Sequence, residues 1–313
     1  MKSPRMLKRY LVWVVALLIV TLGATQLIAA KQNEGTRQAA APAQTPTQPA
    51  GNFVGSETCK GCHEDQFKSI DRTAHHQLTA DETKGTGIHG CESCHGPGAA
   101  HVEAGGDKTK IYNFDDSGKA ISDRCLTCHA NASKHANDTR SQHYKNGVGC
   151  TSCHSPHKAK EANYLLINKQ PDLCYSCHSS NKIEFNKPFR HRVNEGLIGC
   201  SDCHDVHGST QPRQLRTSTQ RDAVCFQCHS DKKGPFTFEH LPVKTEGCSS
   251  CHTPHGSTNP RLLTRSTVNQ VCMECHGVAS LPSLHNQSTK YQACTMCHTY
   301  VHGSHTSNVF FKP

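Results

Sequence analysis

Strongly apolar side chains crowd into one stretch of this 313-residue chain and are sparse everywhere else. Lys2, Arg5, Lys8 and Arg9 precede the run LVWVVALLIVTL, residues 11–22, which GATQLIAA extends to Ala30. Positive charge followed by an apolar run is the layout of a cleavable export signal. Counted through Ala30 the run reaches about 20 residues, enough for a retained membrane anchor. Either reading, signal peptide or anchor over 1–30, sends the rest of the chain across a membrane. The next stretch, KQNEGTRQAAAPAQTPTQPAGN at 31–52, has no Leu, Ile, Val or Phe. It reads as a flexible tether.

Beyond residue 30, Leu, Ile, Val and Phe number 41 in 283 positions, against 12 in the first 30. A chain with less than roughly 20% of these residues tends not to fold unaided, because apolar burial does not offset the entropy of ordering the backbone. With 23 Gly and 15 Pro dispersed between segments, long helices and a sheet are not expected. Short helical turns are, as in NYLLINKQPDLCYSCH, where Pro171 fits a helix start ahead of Leu173. The expected architecture over 53–313 is therefore irregular loops with short α-helices, little or no β, and an interior that side chains alone do not supply.

Cysteine identifies the missing component. All 20 cysteines fall in Cys-x-x-Cys pairs, and the residue after the second is histidine all ten times. The motifs are Cys59 and Cys62 with His63, Cys91 and Cys94 with His95, Cys125 and Cys128 with His129, Cys150 and Cys153 with His154, and Cys174 and Cys177 with His178. They continue as Cys200 and Cys203 with His204, Cys225 and Cys228 with His229, Cys248 and Cys251 with His252, Cys272 and Cys275 with His276, and Cys294 and Cys297 with His298. Structural zinc or a redox dithiol would use Cys-x-x-Cys without needing the histidine. Cys-x-x-Cys-His is the attachment signature of c-type haem: two thioethers hold the porphyrin and the adjacent imidazole is the first axial ligand of its iron. Ten covalent haems are expected, in a multihaem cytochrome c fold drawn out around them.

The second axial ligand decides between electron carrier and enzyme. Met1 and Met6 lie in the leader, and Met273 and Met296 sit inside attachment loops, so histidine is left. Fourteen histidines lie outside the motifs: His75, His76, His89, His101, His135, His143, His157, His191, His207, His240, His255, His285, His302 and His305. A repeat selects among them. His143, His191, His240 and His285 precede Cys150, Cys200, Cys248 and Cys294 by seven to nine residues, and His157, His207, His255 and His302 follow those motifs' histidines by three or four. The unit recurs after about 46–50 residues and carries two attachment motifs and two spare histidines. In CSSCHTPHGS, 248–257, His252 would bind its own haem iron and His255 that of a neighbour. The N-terminal third is less regular. There His101, in CESCHGPGAAH, and either His75 or His76, with His75 preferred, complete the set. His76, His89, His135 and His305 are left over, and His305 is the strongest competitor for a ligand position.

The formal net charge of +9 does not point to nucleic acid. Four positive charges lie in the leader, and each ferric haem with two propionates contributes about one negative charge, so the mature holoprotein sits near −5.

The ten motifs, together with FEHLPVKTEGCSSCHTPHGS, CSDCHDVHGS, CESCHGPGAAH and the terminal CTMCHTYVHGSH, resemble the MtrA/DmsE-type decahaem cytochromes from about residue 53 to the end. The resemblance implies an elongated, loop-rich chain of bis-histidine haems in the periplasm, used in anaerobic or extracellular respiration. It implies second ligands at His75, His101, His143, His157, His191, His207, His240, His255, His285 and His302. One branch threads a porin-like outer-membrane β-barrel and passes electrons from an inner-membrane or periplasmic donor to an outer-surface multihaem cytochrome. The other branch serves a DMSO-type terminal reductase. Iron closed on both faces leaves electron transfer and no catalysis. A multihaem oxyanion reductase would need an open iron, and the Cys-x-x-Cys-Lys motif of the nitrite-reductase family is absent.

Overall fold

The computed structural model describes residues 52–80, 88–216, 222–277, 285 and 293–312. The signal or anchor and most of the tether lie outside the described residues. What is described belongs to one compact unit, Gln48–Pro313. Among the described residues no helix is long and apolar enough to cross a membrane.

Secondary structure is short and local. The longest helix, α1 (Gly118–His129), spans 12 residues and starts at Ser117, whose hydroxyl accepts from the Ala120 amide; such a cap satisfies one of the free donors of the first turn. Pro171 caps the four-residue helix Asp172–Tyr175. A further helix, α2 (Ser179–Glu184), follows the fifth motif. The one sheet among the described residues has two two-residue strands, β1 (Phe189–Arg190) antiparallel to β2 (Gly256–Ser257). Buried apolar side chains among the described residues are Ile121, Tyr175, Phe185, Val193 and Val224, and Tyr175, Phe185 and Val193 form a small cluster with Ile198 and Cys200.

Each attachment motif is a single helical turn. In nine of them the histidine amide donates to the carbonyl of the first cysteine at 2.8–3.1 Å, and the tenth ends α1. Positions i, i+3 and i+4 of such a turn share one face, so both sulfurs and the imidazole point the same way. That geometry is what double thioether attachment and ligation by one segment require.

Neighbouring motifs are stapled in pairs by a recurring bond. A polar side chain just ahead of one motif accepts from an amide opening the next: Ser56 from Cys91 at 3.1 Å, Ser122 from Cys150 at 3.2 Å, Gln170 from Ser201 at 3.1 Å and Asp222 from Cys248 at 2.9 Å. The first pair is locked further by Glu92, which is 1% exposed and accepts from the amides of Val54, Gly55 and Gly98. A buried carboxylate is tolerated when hydrogen bonds surround it.

Candidate functional site

The ten motif histidines do not sit alone. Counting motifs from the N-terminus, His95, His154, His204 and His252 of the even-numbered ones face His157, His207, His255 and His302, with ring centroids 6.3, 6.1, 6.1 and 6.2 Å apart. His129, His178, His229 and His276 of the odd-numbered ones face His75, His143, His191 and His240 at 6.0, 6.1, 6.3 and 6.3 Å. At the two ends His63 faces His101 at 6.2 Å and His298 faces His285 at 6.1 Å. No histidine is used twice. A metal–imidazole bond of about 2 Å plus about 1.1 Å to the ring centre, doubled across one iron, comes to roughly 6 Å, so the residues fit a bis-histidine haem at every motif.

The partners follow a rule. His75, His143, His191 and His240 each pass over the motif that follows them in sequence and face the next one. His157, His207, His255 and His302 reach two motifs back. His255 therefore faces His204, while its near neighbour in sequence, His252, faces His302.

The even-numbered sites share a fold-back loop. After His154, His204 and His252 the chain returns to bridge Leu166, Leu215 and Leu263 against those histidines. The turn is made by consecutive left-handed residues, Tyr164–Leu165 (φ 70° and 55°), Arg213–Gln214 (57° and 53°) and Arg261–Leu262 (58° and 60°). Each such non-glycine residue costs roughly 1–2 kcal/mol, which the surrounding pairings offset. The turn's purpose is legible in its carbonyls: Nδ1 of His154, His204 and His252 donates to Tyr164, Arg213 and Arg261 at 2.6, 2.9 and 2.8 Å. His95 and His298 are held the same way by Tyr112 and Val309. Binding the Nδ1 proton to a carbonyl fixes the tautomer and leaves Nε2 as the metal-binding nitrogen.

The repeated text His-Gly-Ser has three separate causes. The histidine is the second member of a pair. A Cβ on the glycine would lie 2.4 Å from the Asn137 carbonyl oxygen at Gly208, 2.1 Å from that of Glu184 at Gly256 and 2.1 Å from the Phe236 ring at Gly303, so only glycine lets the loop lie against the chain two units back. The serine ties the loop to its own return: Ser209 and Ser257 donate to Leu215 and Leu263 at 2.6 and 2.7 Å. The residue before the histidine is used as well. Nδ1 of His143 and His191 donates to the carbonyls of Val206 and Pro254 at 3.2 and 2.6 Å, and His240 bonds the Val301 carbonyl. The two kinds of second histidine are thus dovetailed, one against the backbone of the other.

Burial disfavours the charged form of six of the paired rings. Desolvation pushes His75, His95, His157 and His240 below the usual imidazole value. It pushes His207 and His302 down to about 4. A neutral imidazole is the form that binds a metal.

The leftover histidines stand apart from the pairs. His76 is exposed and bonds the Thr73 carbonyl at 2.9 Å. His89 stacks on Phe53 at 3.7 Å, and His305 lies by Phe236 and Thr237. His135 is 5.8 Å from His129 but only 4.5 Å from His207, too close for an iron between those two. It flanks two pairs, a placement that no repeat signals.

None of the 20 cysteines is taken up in a disulfide, so every sulfur is left for double attachment. The two positions of the motif differ in burial. The first cysteine is half-buried in every motif, and so is the second at Cys94, Cys153 and Cys251. The second is exposed at Cys62, Cys128, Cys177, Cys203, Cys228, Cys275 and Cys297. Protein side chains alone do not cover these seven sulfurs, and a haem attached to them would.

The cysteines also give the order of the sites. Cys125 lies beside Cys150, Cys174 beside Cys200, Cys225 beside Cys248 and Cys272 beside Cys294. Cys94 likewise neighbours Cys128, Cys153 neighbours Cys177, Cys203 neighbours Cys225, and Cys272 neighbours Cys251. With Ser56 joining the first two motifs, each motif adjoins the next in chain order. The Asp222, Cys225 and Cys248 ligand atoms gather within 4.8 Å, but both thiols belong to consecutive attachment motifs, so the cluster reflects that adjacency.

Comparison with known proteins agrees with the site. A doubled CXXCH motif family matches residues 142–183, 191–234 and 240–281, each match opening at, or one residue ahead of, His143, His191 or His240. The cytochrome c554 and c-prime family matches residues 100–155. The multiheme cytochrome MtrA of Shewanella baltica (strain OS185) is 34% identical over 273 residues, covering 81% of this chain and 80% of that protein. A chain of short helices and loops built around repeated CXXCH turns, with this similarity along four-fifths of its length, belongs to the MtrA family of multihaem c-type cytochromes.

Proposed function

We propose that the chain is an exported decahaem c-type cytochrome whose ten bis-histidine haems conduct electrons between the periplasm and the cell surface, within an outer-membrane porin-like β-barrel and in contact with an outer-surface multihaem cytochrome. The reading rests chiefly on ten motif histidines and ten others forming ten pairs at 6.0–6.3 Å, with His135, 5.8 Å from His129, the one further histidine near that spacing among the described residues. Haem, when bound, supplies a one-electron couple at each site. The chain's residues do the rest. The sulfurs fix each site to its own turn, the paired imidazoles close both axial positions against substrate, and the staples between consecutive motifs hold the sites in single file. Electrons enter at one terminal motif and leave at the other.

One feature favours a second reading. The apolar run at 11–30 and the tether at 31–52 suit a carrier held at the inner membrane that serves a DMSO-type terminal reductase. Mass spectrometry of the exported chain should find ten haems and no zinc, and electron paramagnetic resonance should find every ferric site low-spin. Fewer than ten haems would overturn the decahaem reading. A high-spin site would turn it towards a reductase. Recovery with a barrel from outer membranes separates the conduit from the inner-membrane carrier.

A further inference from the structure

Where the paired histidines have a hydrogen-bond partner on a ring nitrogen, it is neutral in all cases but one. Eight of them donate Nδ1–H to backbone carbonyls: His95, His101, His143, His154, His191, His204, His252 and His298. His157 faces the Ser69 hydroxyl at 3.0 Å. His255 differs: its Nδ1 lies 2.7 Å from Oε2 of Glu184, the one histidine–carboxylate contact among the described residues.

That contact is built into the fold. Glu184 ends α2, next to Phe185 of the small apolar cluster, and the Phe185 ring lies 5.0 Å from His255. The Asn194 side chain holds the Phe185 carbonyl at 2.9 Å and is itself bonded by the Tyr175 hydroxyl at 2.8 Å. Gly256 gives the Glu184 carbonyl the room to approach, and the β1–β2 pairing fixes Gly256 opposite Arg190. The backbone that carries Glu184 is thus held on both sides of the contact, and the carboxylate's counterpart at His157 is the Ser69 hydroxyl.

We propose that Glu184 is a positioning and tuning residue that lowers the reduction potential of the haem attached at Cys200 and Cys203, whose axial pair is His204 and His255. The inference rests on the bis-histidine reading above. Donation to an anionic acceptor shifts the Nδ1 proton towards oxygen, makes the imidazole a more basic ligand and favours ferric over ferrous iron. The negative charge opposes an added electron in the same sense. Site six of ten then forms an uphill step in the middle of the path.

The test is redox titration of the haem-loaded protein carrying Glu184→Gln, which keeps an oxygen acceptor and removes the charge. One of ten components should move to a more positive potential while nine hold. Glu195→Gln, a nearby carboxylate paired with Arg190 and Arg192, should leave that component in place. Ten unmoved potentials in Glu184→Gln, or an equal shift in Glu195→Gln, would overturn the proposal. If Glu184→Gln fails to assemble, the wild-type paramagnetic resonance spectrum decides. It should hold one low-spin component of smaller g-anisotropy, as an imidazolate-like ligand gives, and ten components alike would refute the proposal. Loss of low-spin character or a haem count below ten in the wild type would instead fault the bis-histidine reading.

Discussion

The two attachment sites of each repeat carry the same five-residue motif and are supported in opposite ways. At the even-numbered sites the chain doubles back through left-handed residues so that a backbone carbonyl meets the motif histidine, and the second histidine arrives from the following unit. At the internal odd-numbered sites the motif runs straight into a helical segment, as at Ser179–Glu184 and Ser230–Lys232, and the second histidine comes from the unit's own start. One site is made rigid by its own loop and depends on a neighbour for its second ring. The other needs no loop because both its rings belong to one unit. The difference shows how a chain with so few buried apolar side chains can still be specific: order comes from which backbone group each imidazole meets.

The comparison can be broken at several points. Replacing Cys225 and Cys228 by serine should leave nine haems by mass and reduce electrode-to-acceptor current through the protein by orders of magnitude, since single file offers no route around the seventh site. Gly256→Ala forces a Cβ to within 2.1 Å of the Glu184 carbonyl and should cost about 1–3 kcal/mol in denaturant unfolding of the holoprotein, the range for overpacking. Among the described residues the odd-numbered motifs have no His-Gly-Ser loop and so no counterpart of this glycine.

Acid should act on the dovetailed histidines. Burial holds His207 and His302 down to about 4, from the usual 6.5, so between those values the unfolded chain binds protons that the folded one refuses. In the haem-free chain their contribution to stability is complete above about pH 6.5 and is lost as pH falls towards 4, which a series of thermal melts across that window would register.

Subtler changes separate the pairings themselves. His255→Met should keep all ten haems and raise one potential, that of the site at Cys200 and Cys203 and not that at Cys248 and Cys251. Site-resolved redox titration distinguishes the two. Arg261→Gly relieves a left-handed Cβ worth roughly 1–2 kcal/mol against about 0.5–1 kcal/mol of added chain entropy. Thermal melting should therefore show a gain of between zero and about 1.5 kcal/mol.

How much of this could be read beforehand depends on the range of the contacts involved. The motifs, the scarcity of Leu, Ile, Val and Phe, the short helices and the family all lie in local sequence, and Pro171 ahead of Leu173 marked a helix start that the structure contains. Which ring faces which is a long-range matter. His191 meets the backbone of Pro254 across 63 residues, and no spacing rule announces that His240 passes over Cys248 to reach His276. The text His-Gly-Ser was visible three times, yet the reason for its glycine lies in another unit, a carbonyl at Gly208 and Gly256 and the Phe236 ring at Gly303. The left-handed turns were hidden for a different reason: Tyr164, Arg213 and Arg261 are not residues that favour such backbone, and tertiary pairing overrides their preference. His135 shows the limit from the other side, being placed by contacts with His129 and His207 that no repeat encodes.

The rule of partners has a consequence for how such a molecule can change length. Because each unit lends one ring backward and keeps one for itself, a whole module spliced into the middle would adopt the same manners as its neighbours and disturb none of them. The two extremities are where the bookkeeping is closed, with His101 and His285 each taking the lone motif at its own terminus. Removing a terminal module would leave a motif without its ring, whereas lengthening from within would not. Chains of this kind are therefore free to grow by internal duplication, two sites at a time, while their ends stay fixed.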